Sequence, residues 1–359
     1  MKALPVYALL TCMLCAALTV LAASEADSLR DPREVHLRNL RQLTFGGKNA
    51  EAYFSFAEDM ICYQSSPPGT ACDQIFIMDT SGKRRKQISP GKGRTTCAYF
   101  LPDGRLLYAT THLADTACPP PPERTAGYVW PVYARYDIVI ADTATGSILQ
   151  RLTTTEGYDA EATVSPRGDR IVFTSARDGD LELYSCNLDG SDLQRLTFTP
   201  GYDGGAFFSF DGTEIVYRAY HPTGAELEEY RELLRRQLVR PTRTEIFLMN
   251  ADGTNIRQVT HTGASNFAPF FHPDGKRIIF SSNMHDPTRR TFSLYIINKD
   301  GTGLKRITYG ASFDSFPMFT RDGTKLIFCS TRGARHPGEF NIFIADWTDT
   351  PTESTGTHR

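Results

Sequence analysis

The sequence predicts an all-β protein, a six-bladed β-propeller whose blades are four-stranded antiparallel sheets. A short strand that ends in a hydroxyl residue recurs six times among the 359 residues, and three further strand patterns separate each copy from the next. The first copy has no strands of its own unit before it, and the last unit has three strands without a fourth. A closed ring of six blades explains both the repeat and the two unequal ends.

The recurring strand sets the length of the repeat. Its copies are spaced by roughly 45 to 65 residues, which is the length of a four-stranded blade with or without an insertion. They lie at residues 41–44, 86–89, 150–153, 194–197, 257–260 and 305–308.

The unit that starts at Asp159 shows the other three strands of a blade. Pro and Gly stand at its turns, and β-branched or aromatic residues stand between them, which is the composition of strands joined by tight turns. The expected strands are 160–165, 170–175 and 181–187, with turns at 166–169 and 189–190 and a loop at 177–180.

The N-terminal strand at 41–44 is expected to complete the sixth blade by pairing beside residues 341–347. This closure removes the open sheet edges that favour aggregation. The propeller is therefore predicted to span 40–347, with insertions at 111–135 and 221–243.

Two loops carry a more specific signal, since residues 175–179 and 330–333 read Ser-Ala-Arg-Asp-Gly and Ser-Thr-Arg-Gly. Together with the Pro-Asp-Gly turns and the Arg-Leu-Thr strand endings, they resemble the TolB-type (WD40-like, PD40) propeller repeat. The resemblance implies the fold over nearly the whole chain and leaves function open, because one fold serves many functions. An N-terminal α/β domain like that of TolB is not expected, so TolB's binding of a peptidoglycan-associated lipoprotein is not carried over.

The first residues are typical of a secretory signal peptide, because Lys2 precedes an apolar run at 8–21 and small residues follow at 22–24. An uncleaved anchor helix is the alternative. We expect a periplasmic or secreted protein that does not span the membrane after cleavage. The expected segments are a signal peptide at 1–23, an N-terminal extension at 24–39 and a C-terminal tail at 348–359.

The formal net charge of -2 gives no reason to expect a nucleic-acid partner. Cysteines outside the signal peptide permit disulfides in an exported protein. Cys72, Cys97 and Cys118 fall at loops or strand ends and are the candidates, with their pairing left open. Cys186 and Cys329 lie within strand patterns and are expected to be buried thiols.

Strand alternation places both insertions on one face of the ring. The first insertion carries a polyproline run and aromatic residues around Trp130, and the second has apolar residues at helical spacing over 225–239. We predict a short helix in blade 4 that lies over the channel mouth as a lid. The alternatives are packing of each insertion against its own blade and simple surface decoration.

The loops that enter the innermost strands carry polar residues that a closed ring would bring towards the axis. Carboxylates and amides gathered there suit a Ca²⁺ ion or a cationic group of a partner, and the alternative is that each caps its own loop. These residues are Asn49, Glu51, Asp159, Glu161, Asp203, Asn266 and Asp314, and the contacts expected around them are Tyr158, Tyr202, Arg177, Arg218 and Trp130.

Histidines follow the second strands of four blades, on the same face as the acidic loops. They are His112, His221, His285 and His336. The first three, with Asp159, Asp203 and Asp314, are candidate ligands of a metal ion such as propeller lyases use to cleave uronate oligosaccharides. The alternative is a chance placement of exposed histidines.

Nucleophile-elbow, zinc-protease, P-loop and dinucleotide-binding motifs are absent from the sequence. The sequence therefore favours a non-catalytic, monomeric binding scaffold in the cell envelope. The expected partner is an envelope protein or peptide segment, or a small molecule or glycan, bound at the polar channel face. The alternative is a metal-dependent polysaccharide lyase or hydrolase with its site in the channel.

Overall fold

The computed structural model describes residues 29–123 and 127–349. Within them, six four-stranded antiparallel sheets form a ring whose innermost strands contact one another in sequence and close between the sixth blade and the first. The predicted signal peptide and most of the C-terminal tail lie outside the described residues. No helix in the described segments is long and apolar enough to cross a membrane.

The blades follow one another along the chain. Strand β1 (Leu37–Gln42) is the outermost strand of blade 6. Blade 1 contains β2 (Lys48–Phe54), β3 (Met60–Ser66), β4 (Gln74–Asp79) and β5 (Lys86–Gln87). Blade 2 contains β6 (Thr95–Phe100), β7 (Leu106–Thr110), then β8 (Trp130–Pro131) inside its insertion, β9 (Asp137–Ala141) and β10 (Ile148–Arg151). Blade 3 contains β11 (Asp159–Val164), β12 (Arg170–Ser175), β13 (Glu182–Asn187) and β14 (Gln194–Arg195).

The second half of the ring repeats this order. Blade 4 contains β15 (Tyr202–Phe208), β16 (Glu214–Tyr220), then α1 (Ala225–Arg235) and β17 (Leu238–Val239) inside its insertion, β18 (Glu245–Asn250) and β19 (Arg257–Gln258). Blade 5 contains β20 (Asn266–Phe271), β21 (Arg277–Ser282), β22 (Ser293–Asn298) and β23 (Lys305–Arg306). Blade 6 contains β24 (Asp314–Phe319), β25 (Lys325–Ser330) and β26 (Asn341–Trp347).

The N-terminal strand closes the ring, as predicted. Strand β1 pairs antiparallel with β26, with Leu37 opposite Trp347 and Gln42 opposite Phe343. The strand begins earlier than the predicted residue 41, and the described part of the N-terminal extension also packs on the propeller. Glu34 is fully buried and forms an ion pair with Arg332 at 3.0 Å.

The recurring hydroxyl caps the third strand of its own blade. In blade 3 the Thr197 hydroxyl accepts a hydrogen bond from the Leu183 backbone N–H at 2.9 Å. Most outermost strands have only two residues, so a side chain satisfies a backbone group that the ladder does not reach. The same bond joins Thr44 to Ile342, Ser89 to Ile75, Thr153 to Ile138, Thr260 to Ile246 and Thr308 to Leu294.

A β-bulge interrupts the innermost strand of every blade. The pairing register shifts there, and one residue adopts a positive φ of 49° to 59°. A bulge re-aims the side chain that it contains. We call the six residues at this position the bulge ring: Glu51, Cys97, Glu161, Gly205, Ala268 and Phe316.

Aromatic rings meet across the axis two residues beyond the bulge ring. The Tyr53 ring lies 5.3 Å from that of Phe207 and 5.7 Å from that of Tyr99. Phe207 contacts Phe270 in turn, also at 5.3 Å. These four side chains, which we call the plug, come from blades 1, 2, 4 and 5 and fill the middle of the channel.

The described cysteines comprise one disulfide and several free thiols. Cys72 and Cys118 form a disulfide that ties the first insertion to blade 1. Cys97 is a free thiol, so the prediction that it is a disulfide candidate is wrong. It belongs to the bulge ring, where its side chain faces the channel and not a cysteine in a loop. Cys186 and Cys329 are buried free thiols, as predicted.

Candidate functional site

The two insertions meet over the channel mouth. Trp130 and Pro131 of β8 pair antiparallel with Val239 and Leu238 of β17, so a strand from blade 2 joins a strand from blade 4. We call residues 127–133 and 225–239 the lid. Because each insertion packs on the other, the first does not pack against its own blade alone.

The helix of the lid is anchored by its buried face. The hydroxyl of Tyr230 donates a hydrogen bond to the Gly201 carbonyl at 2.7 Å, and Leu233 is buried as well. Helix α1 ends at Arg235 and not at the predicted residue 239, because residues 238–239 form the lid strand. The lid residues that line the cavity at the channel mouth are Tyr128, residues 130–133 and Val239, and none of them belongs to helix α1.

A cavity of about 360 Å³ lies between the lid and the plug. All six members of the bulge ring line it, together with lid residues such as Trp130 and Val239. Its charged lining residues are Glu51, Asp73, Arg94, Glu161 and Arg218, and its aromatic lining residues are Tyr53, Tyr128, Trp130, Tyr133, Tyr136, Tyr158, Tyr202, Phe207, Phe267, Phe313 and Phe316.

Glu161 and Arg218 form an ion pair in the cavity wall. The guanidinium group also contacts the Tyr202 hydroxyl and lies 5.2 Å from the centre of the Trp130 ring, within the range of a cation–π interaction. Glu161 accepts hydrogen bonds from three further partners, the Gly205 backbone N–H at 2.9 Å, the Thr174 hydroxyl at 2.7 Å and the Tyr202 hydroxyl at 3.3 Å. The Glu161 carboxylate is therefore well paired within the protein, whereas Nε of Arg218 is buried without a hydrogen-bond partner among the described residues.

Two glycines in β15 make room for this ion pair. A Cβ atom at Gly205 would lie 2.0 Å from a guanidinium nitrogen of Arg218, and one at Gly204 would lie 2.5 Å from the Glu161 carboxylate. Gly205 also has a φ of 59°, which glycine adopts without strain. The Gly-Gly pair in the innermost strand of blade 4 thus leaves the space that the Glu161–Arg218 ion pair occupies.

Glu51 stands in a different environment. Burial raises its pKa to about 7; a hydrogen bond from the Cys97 thiol lowers this pKa, and the nearby charge of Glu161 raises it. At neutral pH this carboxyl group therefore exists in both protonation states. Perturbed acids in clefts are candidates for a functional role.

A second ion pair lies where the disulfide holds the lid. Asp73 pairs with Arg94, and both line the cavity. The Arg94 guanidinium also lies 3.9 Å from the sulfur of Cys118. The chain segments around the disulfide thus contribute both to the lid and to the charged wall.

The structure places the sequence-predicted contact residues in two groups. Six of them line the cavity, and five do not belong to its lining among the described residues. The cavity group contains Glu51, Tyr158, Glu161, Tyr202, Arg218 and Trp130, and the other group contains Asp159, Arg177, Asp203, Asn266 and Asp314.

The side chains of the second group pair with other residues of the blades. Asp159 pairs with Arg177 at 3.1 Å, and Asp314 pairs with Arg332 at 3.0 Å. These residues begin the innermost strand, two positions before the bulge, so their side chains turn towards the following loop and not towards the axis. The arginines of the Ser-x-Arg loops are their partners, which gives that repeated motif a structural role.

Blades 4 and 5 repeat this arrangement with other residues. Asp203 contacts His221 at 2.9 Å, and the Asn266 amide donates to the Thr244 carbonyl at 3.0 Å. Burial lowers the pKa of His221, but the hydrogen bond and charge of Asp203 outweigh burial and raise it overall. Asn49 of blade 1 likewise bonds the Phe340 carbonyl at 3.1 Å.

The predicted metal ligands do not assemble into one site. Among residues 29–123 and 127–349, no three His, Cys, Asp or Glu side chains lie close enough to hold a metal ion together. His112 contacts the Thr110 hydroxyl, and His285 lies 3.2 Å from the Thr291 hydroxyl. Asp203 and His221 form a pair without a third donor, and Asp159 and Asp314 are engaged by arginines.

Sequence reasoning missed several lining residues, among them Asp73, Arg94, Gln64 and Cys97. An alignment of the six innermost strands on one another would have found Cys97, because it stands at the position of Glu51 and Glu161. Asp73 immediately precedes β4 and Arg94 immediately precedes β6, and no repeated pattern marks either residue.

Comparisons with known proteins agree with this architecture. A model of the TolB β-propeller domain matches residues 240–352. TolB from Acinetobacter baumannii superposes with a TM-score of 0.52 at 17% identity, over 84% of this chain and 64% of that one. The chain is a six-bladed β-propeller, of which residues 240–352 match the TolB β-propeller domain. This propeller spans 64% of the length of the Acinetobacter protein.

Two other solved structures show how widely the fold is used. The putative TolB from Agrobacterium tumefaciens is similar at 18% identity and a TM-score of 0.51, over 73% of this chain and 80% of that chain. An oligogalacturonate lyase from Vibrio parahaemolyticus reaches a TM-score of 0.51 at 14% identity, over 87% of this chain and 94% of that one. At these identities the likeness is one of fold. No curated protein matches the sequence.

Proposed function

We propose that this propeller is an exported, non-catalytic binding protein that takes a small molecule or the end of a peptide segment into the cavity beneath the lid. The observation that carries the proposal is the cavity of about 360 Å³ that the lid and the plug both line. A concave space with a few charged groups among aromatic walls is the usual form of a ligand site. Export rests on the signal-peptide pattern at 1–23.

The composition of the wall supports binding over a structural role. The rings of Trp130, Phe267 and Phe313 pack against one another and also border the cavity. Such rings supply large contact areas to a ligand at a small cost in conformational entropy. The metal-dependent lyase or hydrolase reading has no comparable support, because the described residues do not gather its donor set.

A ligand screen with a matched pair of variants tests the proposal. We expect compounds that raise the unfolding temperature of the wild-type protein to lose most of this effect in Trp130→Ala, because that change removes a wall of the cavity. Phe198→Ala is the control, since Phe198 is an aromatic residue outside the cavity lining and 65% exposed. The measurement is thermal unfolding followed by calorimetric titration of each hit.

Equal loss of binding in both variants would contradict the proposal, as would hits that bind Trp130→Ala and the wild type alike. A broad screen of amines, alcohols, acids and sugars without any hit would also count against it.

A further inference from the structure

Two carboxylates of the bulge ring occupy equivalent positions but have unequal surroundings. Glu51 and Glu161 are the bulge residues of blades 1 and 3, with φ angles of 52° and 58°. Glu161 has four partners in the protein, as described above. A comparison of each partner with its counterpart around Glu51 shows what is missing there.

The first missing partner of Glu51 is a cation equivalent to Arg218. Glu161 is paired by Arg218 of the next blade, which stands opposite Gly204 in the β15–β16 ladder. The equivalent position in the blade after Glu51 is Ala109, which stands opposite Thr96 in the β6–β7 ladder. The blade that follows Glu51 therefore presents a methyl group where the blade that follows Glu161 presents a guanidinium group.

The backbone donor is missing as well. The Gly205 N–H binds Glu161, but its counterpart, the Cys97 N–H, donates to the side-chain oxygen of Gln64 at 3.2 Å. Gln64 also accepts the Thr96 hydroxyl at 2.7 Å. Gln64 thus accepts the hydrogen bonds of the two donors that could otherwise bind the Glu51 carboxylate. Glu51 keeps the thiol of Cys97 as its partner.

The other charged groups near Glu51 do not supply its cation. Arg218 is paired with Glu161 and Arg94 with Asp73. Among the described residues Glu51 belongs to no ion pair, and it is bordered by the neutral groups of Cys97 and Tyr53. Glu161 and Asp73 make the surroundings more negative, and Arg218 offsets this in part. The cavity wall therefore holds one more negative charge than positive charges when Glu51 is ionised.

From this geometry we propose that Glu51 binds the ammonium group of a small organic cation whose apolar part lies against the aromatic wall of the cavity. The inference rests on the proposed function, since it names the ligand class of the same site. A carboxylate together with aromatic faces is the combination that recognises organic ammonium ions. Arg218 between Glu161 and the Trp130 ring is an internal example of that arrangement in the same cavity.

The test uses three probes of one shape that differ in charge: phenethylamine, 2-phenylethanol and phenylacetate. Each is titrated by calorimetry at pH 7.5 into the full protein, into Glu51→Gln and into Glu156→Gln, an exposed control outside both the lid and the cavity lining. We expect the wild type and the control to bind the amine about tenfold or more tightly than the alcohol. In Glu51→Gln this preference disappears, and the amine binds as weakly as the alcohol.

A second readout does not depend on any variant. Binding of the amine at pH 6.5 should release protons from Glu51, so the observed enthalpy should change with the ionisation enthalpy of the buffer. The alcohol should release none.

The outcomes separate the two proposals. If the alcohol or phenylacetate binds as tightly as the amine, and this binding is lost in Trp130→Ala, the cavity is a ligand site but the cation inference is wrong. If amine binding is unchanged in Glu51→Gln, the inference is also wrong. If none of the three probes binds, the cation inference fails, and the ligand screen then decides the proposed function by itself.

Discussion

Glu51 combines a carboxylic acid with a setting that disfavours its charge. Its pKa is raised to about 7, from an ordinary value of 4.5, because burial in the cavity wall penalises the carboxylate. Between these two pH values the folded protein holds a proton that the unfolded chain releases. This proton stabilises the fold at low pH, and the stabilisation is lost as the pH rises through 7.

We therefore predict that Glu51→Gln becomes more stable than the wild type as the pH rises. The difference in free energy of unfolding should be near zero at pH 4.5 and should approach about 3 kcal/mol at most above pH 7. Chemical denaturation at several pH values measures it, and other titrating groups cancel because both proteins share them. A difference that stays constant from pH 4.5 to 8 would show that Glu51 is not buried as described.

The residue scale also shows where reasoning from sequence succeeded and where it failed. Asp159 and Glu161 were both expected at the axis, because they lie in the same strand entry. The bulge between them turns Glu161 to the cavity and leaves Asp159 with Arg177. A shift of one residue in register exchanges the two faces of a strand, and no property of the residue types alone reveals that shift.

At the scale of elements, the lid is the feature that departs from the repeat. The sequence predicted both insertions, their common face and the helix, because these follow from strand alternation and helical periodicity. It did not predict that the insertions pair, since β8 and β17 have two residues each and such short strands leave no pattern. The pairing depends on contacts between blades 2 and 4 that form only in the closed ring.

Removal of the blade 4 part of the lid tests its role. Deleting residues 222–242 should leave the six blades folded, because the excised segment carries α1 and β17 and none of the four strands of the blade. We expect the β-sheet circular dichroism spectrum and a cooperative unfolding transition to persist, while ligand binding weakens. If the shortened protein fails to fold, the helix is a structural element of blade 4.

At the scale of the whole molecule, ring closure depends on the N-terminal segment. Strand β1 covers the edge of β26, and Glu34 neutralises Arg332 inside blade 6. The sequence predicted this closure from a spare strand at one end and a missing strand at the other, which is a topological argument that needs no side-chain detail.

Loss of the closing strand should expose the edge of blade 6. We predict that removal of residues 1–44 yields a protein that self-associates, whereas removal of residues 1–28 leaves a monodisperse one, because only the first deletion uncovers β26. Size-exclusion chromatography with light scattering distinguishes the two. Equal behaviour of both proteins would mean that the N-terminal strand is dispensable for closure.

The central claim is that ligands bind between the lid and the plug. The most direct test is a crystal structure of the protein grown with the compound that raises its unfolding temperature most in the screen. We predict ligand density bordered by Trp130 of the lid, Glu51 of the bulge ring and Phe207 of the plug. Density for the same compound only on the outer surface of the blades, with the cavity containing water alone, would contradict the claim.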